Sequence, residues 1–559
     1  MKWIQLLPMA PLLVTFLSVI ATAKEVPPRI TAPVGIIQGQ VVKINNSLSF
    51  ANAYLGIPYG SDTGGAQRFR PPTPKPDFEA PFMALKYGPI APQNYAKKTL
   101  VQSEDCLSIN VWTPTGTSPS ASLPVMVWIH GGNFITGSNS DPIYDGSYLA
   151  ARHGVIVASI NYRLGALGFL ATAGGADGNF GLMDQQLAMK WIQRNIASFG
   201  GDPQKVTLFG ESAGAISIGI HLGCAPHSGM LFRRGIMESN EIGAPLKPRE
   251  TARKYGEVFM KTIGASDLNA LRQTPVKKIL RAQSLLPVQA KQLFRGTELF
   301  IPWAPVLDQK VIVRQPMTGF VEGHVHKSFI AGTNKDEGRL FVQGLQLFKY
   351  SYVAELISLF GDHYPAVLER YDAPWQGDSS ELFGQLLTDY IFSTANHRIL
   401  EGHAASNNDA PAWGYYFTQG VSFVVFGSEI EPEYALHGDE IPFVFNTATL
   451  VNGSFTPAEQ TLSQQMGHYW TNFAKTGSPN KPFKENPPEL PSWPAANAEN
   501  LRYMQLGIPT KVIDDPFTEI SQFWDPIGYQ LTSPPQIYWP DAKKLPPHPR
   551  SKKKPRVKK

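Results

Sequence analysis

Val206-Thr207-Leu208-Phe209-Gly210-Glu211-Ser212-Ala213-Gly214 is the stretch that decides the reading of this chain. Val206 to Phe209 reads as a buried strand, and Ala215 to Leu222 continues as an apolar helix. Between them stands G-x-S-x-G. A serine held on so sharp a strand-to-helix turn adopts a strained backbone, and Gly210 and Gly214 leave room for the close packing it requires. The turn lifts the Ser212 hydroxyl out of the sheet and sets the N–H of Ala213 beside it. The helix N-terminus adds partial positive charge where an oxyanion would form. An ordinary helix-capping serine is the weaker reading in this context.

Outward from this turn, short apolar runs alternate with helical patterns, the signature of an α/β protein. Leu123 to Ile129 and Gly154 to Ile160 read as buried strands. Asp184 to Phe199 reads as a helix with Leu187, Trp191, Ile192, Ile196 and Phe199 on one face, stopped by Gly200-Gly201-Asp202-Pro203. Phe329-Ile330-Ala331 and Trp413 to Phe417 are further short strands, and Thr461 to Lys475 is a late helix. The regions 245–300 and 340–410 read as helical and loop-like insertions of the kind that wall a pocket.

A serine hydroxyl needs a base, and the base needs an orienting acid, which for this turn follow the serine in the order acid, then histidine. His437 sits in His437-Gly438-Asp439-Glu440-Ile441-Pro442-Phe443, a Gly- and Pro-marked loop entering an apolar run. Glu337 lies in Gly332-Thr333-Asn334-Lys335-Asp336-Glu337-Gly338, just past a strand. Spacing alone does not separate Asp336, Glu337 and Asp308. His324 and His326 form an H-x-H pair without a suitably spaced third metal ligand, so surface histidines are the better reading. His130-Gly131-Gly132-Asn133-Phe134 follows a strand and has the HGG form of a loop that aims backbone N–H groups at a carbonyl oxygen.

The bulk properties agree with a folded enzyme. Hydrophobic residues make up 43% of the 559-residue chain and charged residues 17%, enough to build a large core. Lys2, the mostly apolar Leu6 to Ile20 and Ala21-Thr22-Ala23 read as an export signal over 1–23. A single catalytic domain over 24–540 and a basic, disordered tail over 541–559 are expected to follow. The net charge of +5 is misleading, because residues 543–559 hold nine Lys/Arg and the rest of the chain sums to −4. No basic patch motif in the body points to nucleic acid, and no later run suits stable membrane insertion. Two cysteines, Cys106 and Cys224, are few for an exported protein, and spacing leaves open whether they pair.

At this point the residues resemble one family, that of the type-B carboxylesterases and cholinesterases. Phe199-Gly200-Gly201-Asp202-Pro203 followed by Gly210-Glu211-Ser212-Ala213-Gly214 matches its active-site signature, and Glu104 to Pro114 matches its second signature. Asn161 to Gly165, Gly178 to Gln185 and Trp470 to Ala474 are similar to it as well. The resemblance implies the α/β-hydrolase fold, a central mostly parallel twisted sheet flanked by helices with large loop and helical insertions. It implies Ser212 as nucleophile, Glu337 as acid and His437 as base. It further implies Gly132, Asn133 and Ala213 as oxyanion donors, and Glu211, Ser239 and Glu440 as a buried polar network beside the histidine.

Departures from the family narrow the expectation. Ala91-Pro92-Gln93 stands where the family often has the cysteine that pairs with the one at Cys106, which implies an unpaired Cys106. The loop from Ala91 to Cys106 is short and holds no Trp, only Tyr95 and Ala96 near the place where cholinesterases carry their choline-binding tryptophan. Asn133 replaces the third glycine of the oxyanion loop, a change that keeps a backbone N–H. The expected activity is hydrolysis of neutral short- to medium-chain carboxylic esters, with a small-molecule ester as partner and no metal or cofactor implied. A non-catalytic adhesion or binding protein of the same fold is the rival from another class. An amidase or polyester hydrolase would share the machinery. The oligomeric state is not legible.

Overall fold

The computed structural model describes residues 27–527 apart from 45–48, 95, 242–245, 290–302, 374–376, 407–408, 428–430 and 481–489. The expected export signal, Tyr95 and the basic tail lie outside the described residues. Eleven strands form the central sheet: β1 (Gln40–Lys43), β2 (Phe50–Pro58), β3 (Ser108–Pro114), β4 (Leu123–Ile129), β5 (Ile156–Ile160), β6 (Gly201–Glu211), β7 (Arg234–Glu238), β8 (Phe329–Asn334), β9 (Ala412–Phe417), β10 (Arg502–Leu506) and β11 (Lys511–Asp514). Their spatial order is β11-β10-β9-β8-β7-β6-β4-β5-β3-β2-β1. Pairing is parallel from β5 through to β10 and antiparallel at both edges.

The parallel strands are covered on both faces, which is why they read as unbroken apolar runs rather than alternating ones. All five residues of β5 are buried, as are Val125 to Ile129 of β4 and every residue of β8. Three helices matter most for the site: α1 (Phe180–Asn195), α2 (Ala213–Gly223) and α3 (Pro457–Thr476). α1 starts four residues earlier than the apolar period suggests, because Asn179 takes a left-handed conformation and its side chain bonds both backbone groups of Val306. It tightens into a 3₁₀ turn over Ile196–Phe199. α3 likewise begins at Pro457 under a capping box made by Thr456 and Glu459. Gly201-Asp202-Pro203 does not end before a new strand: β6 already starts at Gly201, opposite Leu123.

The family-like stretches Asn161 to Gly165 and Gly178 to Gln185 meet in the interior. Arg163 is clamped by Asp184 through Nε at 2.8 Å and Nη2 at 2.7 Å, with its own backbone N–H on the same carboxylate at 2.9 Å. Both side chains are buried, so removing either would strand a charge at a cost of about 3–5 kcal/mol. Cys106 and Cys224 are separate free thiols, both buried.

The chain runs β4, then β5 on one side, then back past β4 to β6. That reversal opens a crevice at the carboxyl ends of β4 and β6, where sheets of this type carry their ligands. Both decisive sequence stretches, the His130 loop after β4 and the Ser212 turn after β6, end there.

Candidate active site

Ser212 has φ 54° and ψ −123°, a conformation sparsely populated by any residue with a side chain, and it is the residue before α2. Its strain is enforced from below. A Cβ on Gly214 would stand 1.9 Å from the carbonyl oxygen of Ile129, and one on Gly210 would stand 2.4 Å from that same atom. Only glycine at both positions lets the turn sit so close to β4. The Ser212 N–H donates to the carbonyl of Glu238 at 2.9 Å, which ties the turn to the end of β7.

The HGG loop packs on this turn. A Cβ on Gly131 would meet Glu211 Oε2 at 2.6 Å and Ser212 Cβ at 3.0 Å. Gly132, Asn133 and Phe134 all have positive φ, at 95°, 56° and 57°. The loop closes through N–H groups of Ile135 and Thr136 on the Gly132 carbonyl. The ring of His130 stacks on Tyr162 with centroids 4.5 Å apart, and the Tyr162 hydroxyl donates to the His130 carbonyl at 2.8 Å. Burial lowers the His130 pKa to about 4, so this ring is a neutral packing element at physiological pH. Ala213 begins α2 directly after Ser212. The three expected donors Gly132, Asn133 and Ala213 therefore flank one serine.

His437 and Glu337 are brought together: Nδ1 of the imidazole lies 2.5 Å from Glu337 Oε2. The other carboxylate oxygen, Oε1, accepts from the Asn334 backbone N–H at 2.6 Å and the Thr333 hydroxyl at 3.0 Å, fixing the acid at the end of β8. Spacing alone left three acids open, and of these Glu337 is the one in contact with His437. Asp336 turns away to accept the Ala435 N–H at 3.0 Å. Asp308 caps a turn, taking the N–H groups of Lys310, Val311 and Ile312 on one oxygen. Phe341 and Phe392 each pack on the His437 ring at 5.1 Å between centroids. Phe392 comes from a π-helical segment, Thr388–Ser393, a form often found at functional sites.

Nε2 of His437 lies 2.9 Å from Glu211 Oε1, but off the line of a directed hydrogen bond, so the contact acts mainly through charge. Burial disfavours the imidazolium, yet Glu211 and Glu337 outweigh it and hold the His437 pKa well above its ordinary value. Ser239 donates to Glu440 Oε1 at 3.2 Å, and Asn334 Nδ2 donates to Glu440 Oε2 at 2.5 Å. Burial and the neighbouring carboxylates raise the Glu440 pKa well above normal. Of the expected trio, Glu211 touches the histidine, while Ser239 and Glu440 bond to each other and are linked through Asn334 to the Glu337 carboxylate.

Four contributors escaped the sequence reading. Asn334 joins both carboxylates, and Glu238 accepts the Trp470 indole N–H at 2.7 Å; burial lifts its pKa to about 8. Gln93 closes the stretch Ala91-Pro92-Gln93, where the resemblance leads one to look for a cysteine. Its side chain accepts from Thr136 at 2.6 Å and from the Gly137 N–H at 3.0 Å, and donates to the Gly137 carbonyl at 2.9 Å, pinning the end of the HGG loop. Glu241 lies just beyond β7, and burial pushes its carboxyl pKa up to about 7. The departure of Ala91-Pro92-Gln93 from the family pattern was the one available signal; Glu238 and Glu241 carried none.

Among the described residues no group of three or more His, Cys, Asp or Glu side chains is placed to hold a metal ion, and no helix is long and apolar enough to cross a membrane. His324 pairs only with Glu322, at 3.4 Å on the surface.

Comparison with known proteins gives this geometry its setting. Residues 26–524 match the carboxylesterase family. A mouse cholinesterase is 33% identical over 533 residues, covering 89% of this chain and 86% of the mouse protein. A para-nitrobenzyl esterase of Bacillus subtilis (strain 168) is 34% identical, covering 84% of this chain and 94% of its own length. Among solved structures, a PNB esterase superimposes with a TM-score of 0.74 at 33% identity, and a thermophilic PNB esterase with 0.76 at 32%; each covers 89% of this chain and the whole of the other. The fold is that of the α/β-hydrolases, and the chain belongs to the carboxylesterase family.

Proposed function

We propose that this carboxylesterase is a serine hydrolase that cleaves neutral short- to medium-chain esters through an acyl-enzyme, and that it is exported. The observation that carries the reading is the strained Ser212 at the head of α2, next in the chain to Glu211, which touches the imidazole of the 2.5 Å His437–Glu337 pair. Ser212 Oγ attacks the ester carbonyl while His437 Nε2 takes its proton. The N–H groups of Gly132, Asn133 and Ala213 receive the oxyanion. The tetrahedral intermediate collapses, His437 returns the proton to the departing alcohol, and water repeats the cycle to release the acid.

Retention of all three triad residues supports an enzyme over a binding protein of the same fold. The short, tryptophan-free loop before Cys106 supports neutral substrates over choline esters and over lipids that need a lid. The test is a series of nitrophenyl esters of increasing acyl length, with acetylthiocholine and a neutral acetate thioester alongside, applied to the wild type, Ser212→Ala, His437→Ala and Glu337→Gln. The expected result is a maximum at short to medium length and a loss of several orders of magnitude in kcat for Ser212→Ala and His437→Ala. Near-normal turnover in either would end the assignment. A preference for acetylthiocholine over the neutral thioester would end the substrate reading.

A further inference from the structure

Glu337 is fixed at the end of β8, but His437 sits on a turn outside any strand or helix. The groups that hold its loop come from the acid's own turn. Asp336 donates its N–H to the Ala435 carbonyl at 2.9 Å and accepts the Ala435 N–H on its side chain at 3.0 Å. Asn334 Nδ2 donates to the Leu436 carbonyl at 2.7 Å. Arg339 makes the outer fastening. Its Nε and Nη2 donate to the two oxygens of Glu431 at 2.8 and 2.7 Å, and Gln343 adds a third donor to that carboxylate at 3.2 Å. The guanidinium carbon lies 3.6 Å from the centre of the Tyr434 ring. Glu381, on the helix Ser380–Leu387, meets Arg339 Nη1 at 3.0 Å and accepts the Tyr434 hydroxyl at 3.0 Å, which closes the cluster. The short helix Arg339–Val342 then carries Phe341 onto the imidazole.

Exposed ion pairs contribute little when two long side chains must be immobilised for a screened attraction. This pair differs: both side chains are only 20% exposed, the fork fixes the geometry, and Tyr434 covers the guanidinium. Arg339 is two residues from Glu337, and Glu431 is six from His437, so the pair joins the same two chain segments as the acid–base contact. We propose that Arg339 is a positioning residue: forked onto Glu431 and stacked on Tyr434, it clamps the base loop to the acid turn and so sets where His437 stands. It acts through the loop and not on the reacting atoms. The inference rests on the proposed role of His437 and deepens it. The imidazole must reach two places in turn, taking the proton from Ser212 Oγ and delivering it to the departing oxygen. A loosened loop harms delivery most where the leaving group needs that proton. An alkoxide needs it, whereas a nitrophenolate leaves without it.

The test compares ethyl and 4-nitrophenyl butyrate, which share an acyl group, in the wild type, Arg339→Gln, Glu431→Gln and the double variant, with thermal unfolding measured alongside. For both esters kcat/KM reports acylation. Arg339→Gln should lower it about tenfold for the ethyl ester and about threefold or less for the nitrophenyl ester. Glu431→Gln should do the same. The double variant should lose no more than either single one, because the two side chains act as a unit. An unchanged ratio between the two esters would overturn the proposal, since a residue that only stabilises the fold lowers both by one factor. Losses that multiply in the double variant would overturn it as well. Should Arg339→Gln fail to fold, Glu431→Gln carries the same expectation and decides. Near-normal turnover of the ethyl ester in His437→Ala would instead count against the proposed function.

Discussion

Glu211→Gln removes one of the two carboxylates that hold the imidazole of His437. Glu211 Oε1 is 2.9 Å from Nε2, and the partner on the other side, Glu337, keeps its 2.5 Å contact with Nδ1. At an effective dielectric constant of about 20, a unit charge at the Glu211 distance is worth about 6 kcal/mol at most. Water entering the site and the amide dipole that replaces the carboxylate absorb much of this, so the His437 pKa should fall, by less than the bare charge alone would give. The sign follows from the role proposed for the ring. His437 accepts the Ser212 proton only when neutral, and its raised pKa moves the acid limb of the activity profile above the pH expected of a free histidine. Losing Glu211 should move that limb down. The assay is kcat/KM for a neutral nitrophenyl ester from about pH 5 to 9, in wild type and variant, read as the midpoint of the acid limb. Height is not the readout, because Glu211 also packs against Gly131. A midpoint that stays put, or rises, would refute the argument that Glu211 acts on His437 through charge.

Two further outcomes follow from packing. Gly214→Ala places a methyl 1.9 Å from the Ile129 carbonyl oxygen, which neither β4 nor α2 can yield, and should cost about 3 kcal/mol or more in chemical denaturation. Wild-type stability in that variant would mean that the turn is less tightly packed than described. Gln93→Ala removes three hydrogen bonds to residues 136 and 137 behind the oxyanion loop. It should lower kcat by about tenfold with a smaller change in KM, as expected when a transition-state donor is misplaced. An unchanged kcat would remove Gln93 from the support of the site.

Much of the fold and the site was legible because the deciding signals are local. The buried parallel strands β4 and β5 read correctly from unbroken apolar runs, and the Ser212 turn from glycines whose need is steric. Boundaries were less legible where a polar residue decides them. Thr456 and Glu459 start α3 a turn before its first apolar residue, and Asn179 starts α1 through a bond to Val306, far along the chain. Glu337 could not be told from Asp336 or Asp308, since the three differ only in partners that tertiary structure supplies: His437, the Ala435 N–H, and a turn at 310–312. Glu241 was invisible for the same reason. Nothing in its neighbours along the chain shows that Ser239 and Asn240 are held by β8 and by Asn396.

The central claim is that Ser212 Oγ forms the covalent bond to substrate, and a fluorophosphonate probe tests it most directly. The hydroxyl attacks phosphorus, fluoride leaves, and the adduct cannot turn over as an acyl-enzyme does. Intact mass and peptide mapping should show one adduct per chain, on the peptide holding Gly210 to Gly214, with esterase activity falling in step with its formation. Ser212→Ala should remain unlabelled. Full activity with Ser212 unmodified, or stoichiometric labelling at another residue with loss of activity, would contradict the account.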